Sequence, residues 1–344
     1  MSAPPAAADA LGTLAARLGA SAGLLGKRDI ADVTHALGIG GDSAVRVGDD
    51  TAAIPVPAPG TGWNLFACEA MLPSFVAALP RFAGFSAVWV NVSDVLAMGG
   101  RPTAVVDALW APGAAAAAPV LEGMRAAAAL CGVPVVGGHA NLRAESLQLS
   151  AAVLGHAEHL LTSFDAAPGD ALVAVLDLRG AWHDPWPFWD AASDAPAARV
   201  QGDMALLPAL AASGRCRAAK DVSQGGIVGT AAMFAECSGV GITLFPERVP
   251  RPDGAPADDA ALERWLCMFP SFGYLLAVRP GDVEAVRAPF LARGIAAAAI
   301  GRVDAGGELA LERAGRRALV RDLAREPLTG RAPTRAPTPE NAHA

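Results

Sequence analysis

Apolar positions along this 344-residue chain fall into two successive runs of alternating strand and helix, divided near residues 160–168, where Thr162-Ser163 and Pro168-Gly169-Asp170 cluster. In the first run, 44–53 and 63–70 read as strands, the former ending in an acidic turn. Residues 84–98 read as a helix, because Val88, Val92, Val95 and Leu96 recur at helical spacing. Gly99-Gly100 stops that helix and Pro102 bars its resumption. Residues 103–110 are predicted as a strand, 115–131 as a helix closed by Gly132 and Pro134, 133–136 as a short strand entering Gly137-Gly138-His139, and 146–155 as another strand. The second run predicts strands at 171–177, 240–244, 272–278, 297–303 and 308–311. Helices are expected near 203–213, after Asp221 as far as Cys237, over 262–268 and over 282–293.

Strands and helices mix in both halves, so the class is α/β or α+β, in two domains. The boundaries read from this pattern are an N-terminal arm at 1–40, domains at 41–162 and 163–326, and a Pro/Ala/Thr-rich tail, expected to be disordered, at 327–344. A short helix is predicted over 28–37 within the arm.

Composition narrows the function. Hydrophobic residues make up 53% and charged residues 18%, which excludes disorder for most of the chain. The net charge is −7 and no Lys/Arg block stands out, so no nucleic-acid footprint is expected. The five cysteines are odd in number and contain no C-x-x-C pair, so they read as buried thiols in a reducing compartment. Without a signal-like start or an uninterrupted apolar stretch of about 18 residues, neither secretion nor a membrane span is expected, and the cytoplasm is the predicted location. Arginine outnumbers lysine 25 to 2, which singles out Lys27 and Lys220.

The candidate chemistry lies in three acidic segments: Gly48-Asp49-Asp50-Thr51, Asn91-Val92-Ser93-Asp94 and Asp221-Val222-Ser223-Gln224-Gly225-Gly226. Mg²⁺ takes hard oxygen ligands and binds through one or two carboxylates plus phosphate and water. Glycines let backbone N–H groups approach phosphate closely. The pattern therefore points to ATP–Mg²⁺. Each piece has a plainer reading: Asp49-Asp50 as a solvated turn, Asp221 as the cap of the following helix, Gly137-Gly138 as a tight turn, and His139 as an ordinary polar residue. Asn91 and Asp94 are three apart and share a helix face. Lys220 precedes Asp221 and either points to phosphate or alternates away from it. No Walker loop, complete dinucleotide fingerprint or Gly-x-Ser-x-Gly elbow is present, and His156 and His159 lack a third zinc ligand.

Taken jointly and in order, four segments resemble the AIR synthetase-related superfamily. They are 48–54, the 90–102 string with Asn91, Ser93, Asp94, Met98-Gly99-Gly100 and Pro102, then Val136-Gly137-Gly138-His139, and 221–227. The resemblance covers about 40–312 and is nearest to thiamine-monophosphate kinase and selenophosphate synthetase. It implies a PurM-like two-domain fold, an N-terminal domain whose strands pair across a homodimer into a β-barrel, and a C-terminal α/β domain closing over ATP. It also implies Mg²⁺–phosphate handling by Asp49, Asp50, Asp94 and Asp221, with Glu69 as a further candidate metal ligand where the family commonly has Asp. Asn91 would lie near the nucleotide, and Gly137, Gly138, His139, Gly225 and Gly226 near its phosphates. Catalytic roles would fall to Asp94, Asp221 and Lys220.

The chain departs from the family pattern in three places: Glu69 to Phe75, the Trp-rich 182–189, and Phe269-Pro270-Ser271-Phe272-Gly273-Tyr274. Trp182, Trp186, Trp189 and Phe272 are candidate walls for a planar or apolar acceptor, or packing at a domain corner. The expected activity is ATP- and Mg²⁺-dependent phosphotransfer to a small molecule, as a kinase or by activating an amide-type oxygen. The alternative is a non-catalytic ATP-binding partner or sensor.

Overall fold

The computed structural model describes residues 10–39 and 43–333. The arm forms three short helices, α1 (Ala10–Gly19), α2 (Ala22–Leu25) and α3 (Asp29–Ala36), with a 3₁₀ turn at Gly26–Arg28. The first half then builds a sheet from β1 (Ala52–Pro55), β2 (Trp63–Met71), β3 (Arg101–Pro112), β4 (Val135–Asn141) and β5 (Arg143–Ala157). Its order is β1-β2-β5-β3-β4, antiparallel except for the β3–β4 pair. Helices α4 (Pro73–Ala78), α5 (Pro80–Ala97) and α6 (Ala114–Cys131) complete this half.

Strand alternation decides what the first sheet buries. Leu65, Ala67, Val105, Leu109, Leu149, Ala151 and Val153 belong to the core that α5 and α6 share. The alternate positions Phe66, Val106 and Leu154 face the other way and are exposed, as is Ile54. α5 and α6 touch closely because two glycines permit it: a Cβ at Gly84 or Gly123 would overlap the backbone of Val120 or Arg81. By length and composition α6 could cross a membrane, the one such helix among the described residues.

The second half forms a seven-stranded sheet in the order β15-β14-β10-β13-β6-β12-β9. The strands are β6 (Ala171–Leu176), β9 (Cys216–Asp221), β10 (Gly241–Leu244), β12 (Gly273–Val278), β13 (Ala296–Asp304), β14 (Glu308–Arg313) and β15 (Arg316–Asp322). A small third sheet, β11-β8-β7, joins β7 (Ala181–Trp182), β8 (Phe188–Asp190) and β11 (Phe269–Pro270). The helices are α7 (Ala197–Met204), α8 (Leu206–Ser213), α9 (Gly226–Ser238), α10 (Asp259–Leu266) and α11 (Val283–Ala292). Val173 and Val175 of β6 join the first-half core, whereas Leu172, Ala174 and Leu176 pack into a second core with residues of α1, α9 and α10. The central strand is thus buried on both faces.

The architecture is a mixed α+β fold, and among the described residues none of the three sheets closes into a barrel. Of the strand expected at 44–53, only its end is extended, in β1; residues 44–51 are turn and bend, since Gly48 and paired acids favour turning. The helix expected near 203–213 is α8, with Pro208 in its first turn, where it needs no N–H partner; α7 before it was not expected. All five cysteines are free; Cys131, Cys216 and Cys237 are buried, but Cys68 is exposed on the bare sheet face. Residues 328–331 dock on α9, their four backbone N–H groups donating to the Glu236 carboxylate at 2.7–3.2 Å. The rest of the expected tail, 334–344, lies outside the described residues, as do 1–9 of the arm.

Candidate functional site

β9 is an edge strand of the seven-stranded sheet and ends in Lys220 and Asp221. The first half lays its acidic turn against that end. Asp50 accepts from the Lys220 ammonium and, at 3.1 Å, from the Asp221 backbone N–H. Asp49 turns away and accepts the Ser163 N–H at 2.7 Å. Burial lowers the proton affinity of Lys220, but Asp50, Asp49 and Asp221 together outweigh it and keep the ammonium charged. Burial and the neighbouring Asp50 raise Asp49 to about 6.

Asp94 comes from the last turn of α5. It is 7% exposed, and its Oδ2 is buried without a hydrogen-bond partner. Burial, then Asp221 and Glu69, push its carboxyl well above the usual range. Asp221 is pushed up to about 8 by burial and by Asp50. Glu69, an open wall residue at the end of β2, is raised by the same enclosure. Opposite them stands Lys27, from the 3₁₀ turn of the arm, donating to Ser223 Oγ at 3.1 Å. Burial lowers the Lys27 pKa against the pull of Asp221.

Lys27, Glu69, Asp94, Asp221, Ser223 and Gln224 line one cavity of about 160 Å³ between the halves. Phe75, Phe82, Phe85, Trp89, Phe188 and Phe269 line it too. The aromatic members are contiguous: Phe188 lies 4.9 Å from Phe75, 6.2 Å from Phe82 and 5.9 Å from Phe269, and Phe85 stacks 6.0 Å from Trp89, centroid to centroid. α5 supplies both groups. Phe82, Ser86, Trp89 and Val90 recur along one face and lead to Asp94, and twelve residues of helix span about 18 Å. The cavity therefore has an aromatic end and an acidic end.

Of the residues predicted for the site, the structure brings Glu69, Asp94 and Asp221 to the cavity, with Asp50 and Lys220 bonded just behind them. Asp221 does not cap α9, which has no side-chain N-cap. Among the described residues no three His, Cys, Asp or Glu side chains stand arranged to hold a metal ion together. Asn91 is fully buried and ties α5 to the sheet, donating to Ala87 O and Ala151 O. Gly137, Gly138 and His139 lie on the exposed edge strand β4, where the Asp107 side chain covers Gly138. Gly225 and Gly226 sit behind the Ser223-Gln224 wall. Gly226 has φ +66°, and a Cβ there would overlap the Cys267 backbone.

Trp182 and Trp189 pack edge-on against Trp265 at 5.7 and 5.1 Å, Phe272 packs on Tyr274, and Trp186 backs Phe75. Of that expected aromatic wall, only Trp189 reaches the cavity, beside its neighbour Phe188. Lys27 is absent from the predicted site, and its only sequence signal is the rarity of lysine.

The family described as "AIR synthase related protein, N-terminal domain" matches residues 48–157, and its C-terminal domain counterpart matches 169–313. An uncharacterized protein of Synechocystis sp. is 45% identical over 293 residues, covering 85% of this chain and 88% of that one. A thiamine-monophosphate kinase of Halobacterium salinarum is 28% identical over 256 residues, covering 72% of this chain and 83% of the kinase. Among solved structures, T. maritima PurL complexed with ADP shares the fold, with TM-score 0.68 at 18% identity. That match covers 84% of this chain and 47% of PurL, so the chain spans about half of PurL's length.

Proposed function

This chain belongs to the AIR synthase-related family, and from that membership we propose that it is an ATP- and Mg²⁺-dependent enzyme that phosphorylates a small-molecule acceptor. The observation that carries the reading is the acidic end of the cavity. Three carboxyls, Glu69, Asp94 and Asp221, face one lysine, and a buried oxygen of Asp94 has no partner. Burial first, and then the neighbouring carboxyls, disfavour the charged forms of Asp94 and Asp221, and a divalent cation would favour them. That donor chemistry fits Mg²⁺, which would be held by Asp94 and Asp221, with Glu69 within the same wall. Bound there, Mg²⁺ would neutralise polyphosphate charge.

The chain's own groups do the rest. Lys27 meets phosphate from the arm side, next to Ser223. Lys220 holds Asp50, and Asp50 in turn fixes the Asp221 backbone. Phosphoryl transfer asks mainly for positioning and charge neutralisation, which this set supplies without a protein nucleophile. The bond from the γ-phosphorus to ADP breaks as an acceptor oxygen bonds to phosphorus, and the acceptor proton is released.

The test is calorimetry with Mg·ATP, followed by ADP formation in the presence of a metabolite extract. Asp94→Asn is expected to lower turnover by about 10²–10³-fold. Nucleotide binding without turnover in any extract fraction would make the protein a sensor instead, and absence of Mg-dependent binding would end the reading.

The bare face of the first sheet, with Ile54, Phe66, Val106 and Leu154, supports a homodimer through paired sheets. Phe66→Glu is expected to give a monomer by light scattering; an unchanged mass would exclude this face as the interface.

A further inference from the structure

The three segments in which this chain departs from its family's pattern are far apart in sequence and meet in space. β8 and β11 pair in parallel, with Phe188 opposite Phe269 and Trp189 opposite Pro270. Leu72 and Phe75, from the third segment, line the same cavity as these four residues. Phe75 packs edge-on against Phe188 at 4.9 Å. All three departures thus build the aromatic end.

That end is walled by ring faces and edges and is poor in cations. Among the described residues lining the cavity, Lys27 is the sole Lys or Arg, although the chain carries 27 such residues. Lys27 also belongs to the acidic end, bonded to Ser223. An acceptor that brought its own phosphate would place a dianion on a wall with no counter-charge and with carboxylates close by. Aromatic faces and edges, by contrast, complement a planar ring. A cavity of about 150 Å³ accommodates benzene, and the 160 Å³ here is shared between the aromatic and acidic ends, so the aromatic end suits a small planar ring system.

We infer that the aromatic end, walled by Phe75, Phe82, Phe188 and Phe269, is an acceptor subsite for a flat, apolar, one- or two-ring molecule without a phosphate group of its own. The word acceptor rests on the phosphotransfer reading above; the ring subsite does not. His183 stacks on Phe82 at 3.8 Å and is fastened by Asp190 at 3.1 Å, which holds that wall in place from behind.

The experiment measures binding of 2-naphthol, 2-naphthyl phosphate and adenosine to the full chain by calorimetry, with Mg·ATP titrated separately. 2-Naphthol is expected to bind saturably, and 2-naphthyl phosphate at least about tenfold more weakly. Phe188→Ala is expected to weaken 2-naphthol by about tenfold, and Phe188→Leu, which keeps bulk but loses the ring, by about threefold. Both should leave Mg·ATP affinity within about twofold. No saturable 2-naphthol binding, or equal affinity for the phosphate ester, overturns the inference. Adenosine displacing 2-naphthol competitively, with the same sensitivity to Phe188→Ala, also overturns it, because the aromatic end is then the nucleoside pocket. If 2-naphthol binds as expected but Mg·ATP does not, the phosphotransfer reading fails and the ring subsite stands.

Discussion

The two ends of the cavity are held together by different physics. At the acidic end, Asp50, Lys220 and Asp221 are almost wholly buried, and the protonation of Lys220 and Asp221 depends on their neighbours. At the aromatic end, rings that range from buried (Phe75, Phe85) to partly exposed (Phe82, Phe188, Phe269) lean on one another at 4.9–6.3 Å. The first is an electrostatic assembly in which removing one partner strands another. The second is additive packing that degrades by degrees. An enzyme that keeps its ATP chemistry while changing its acceptor would vary the second and leave the first alone.

The largest effect that would sharpen this contrast is Lys220→Met, which leaves Asp50 buried without its cation. It is expected to cost about 3–5 kcal/mol of stability in denaturant melts. Adding Asp50→Asn should restore much of that loss; if the single variant melts like the parent, the buried pair is not what fastens the halves. Next comes Asp94→Asn, expected to lower turnover by about 10²–10³-fold. Because it removes one charge from a crowded acidic group, it should leave the metal-free protein at least as stable in calorimetry. A fall in stability would mean that Asp94 has a structural partner.

The third effect concerns pH. Asp221 titrates near 8 when folded, against 3.8 for an ordinary aspartate. The folded state therefore binds the extra proton between these values, so stability declines as pH rises across that window and the loss is complete above about 8. Asp49, raised to about 6, adds to the decline in the lower part of the window. Metal-free melts at pH 5.5 and 8.5 should differ accordingly. Asp221→Asn should flatten the slope, as should saturating Mg²⁺. Smallest is Phe82→Leu, expected to cost about 0.5–1.5 kcal/mol through lost ring contacts. A loss as large as that of Lys220→Met would break the comparison.

How far the sequence revealed each region follows from the same distinction. A carboxylate on an apolar helix and one before a Ser/Gly-rich turn stand out within a few residues, so Asp94 and Asp221 were legible as candidates. The turn at 48–50 was legible as acidic, but not that Asp49 and Asp50 face opposite ways, which depends on Ser163 and β9. The aromatic end draws on four separate segments; three stood out as departures from the family pattern and the Trp-rich one as a candidate wall, but that they meet depends on the β8–β11 pairing and on Phe75 and Phe82 packing against Phe188. Lys27 was singled out only by the rarity of lysine, because the arm carries no motif that would place it at the site. The strands at 63–70 and 171–177 and the helix at 84–98 were recovered as β2, β6 and α5. Their order in the sheets was not, since β5 inserting between β2 and β3, and β6 between β12 and β13, are long-range pairings that no local period encodes.

The Glu236 clasp has a reach beyond its own helix. Arg331, held there by its backbone, lays its side chain over Gly48 and takes the Arg46 guanidinium on its carbonyl, beside the turn that carries Asp49 and Asp50. A version of the protein trimmed after Asp322, where the last strand ends, would therefore shed more than an apparent overhang. It would leave the buried Glu236 carboxyl with four donors gone, and unbuckle the turn that presents Asp50 to Lys220.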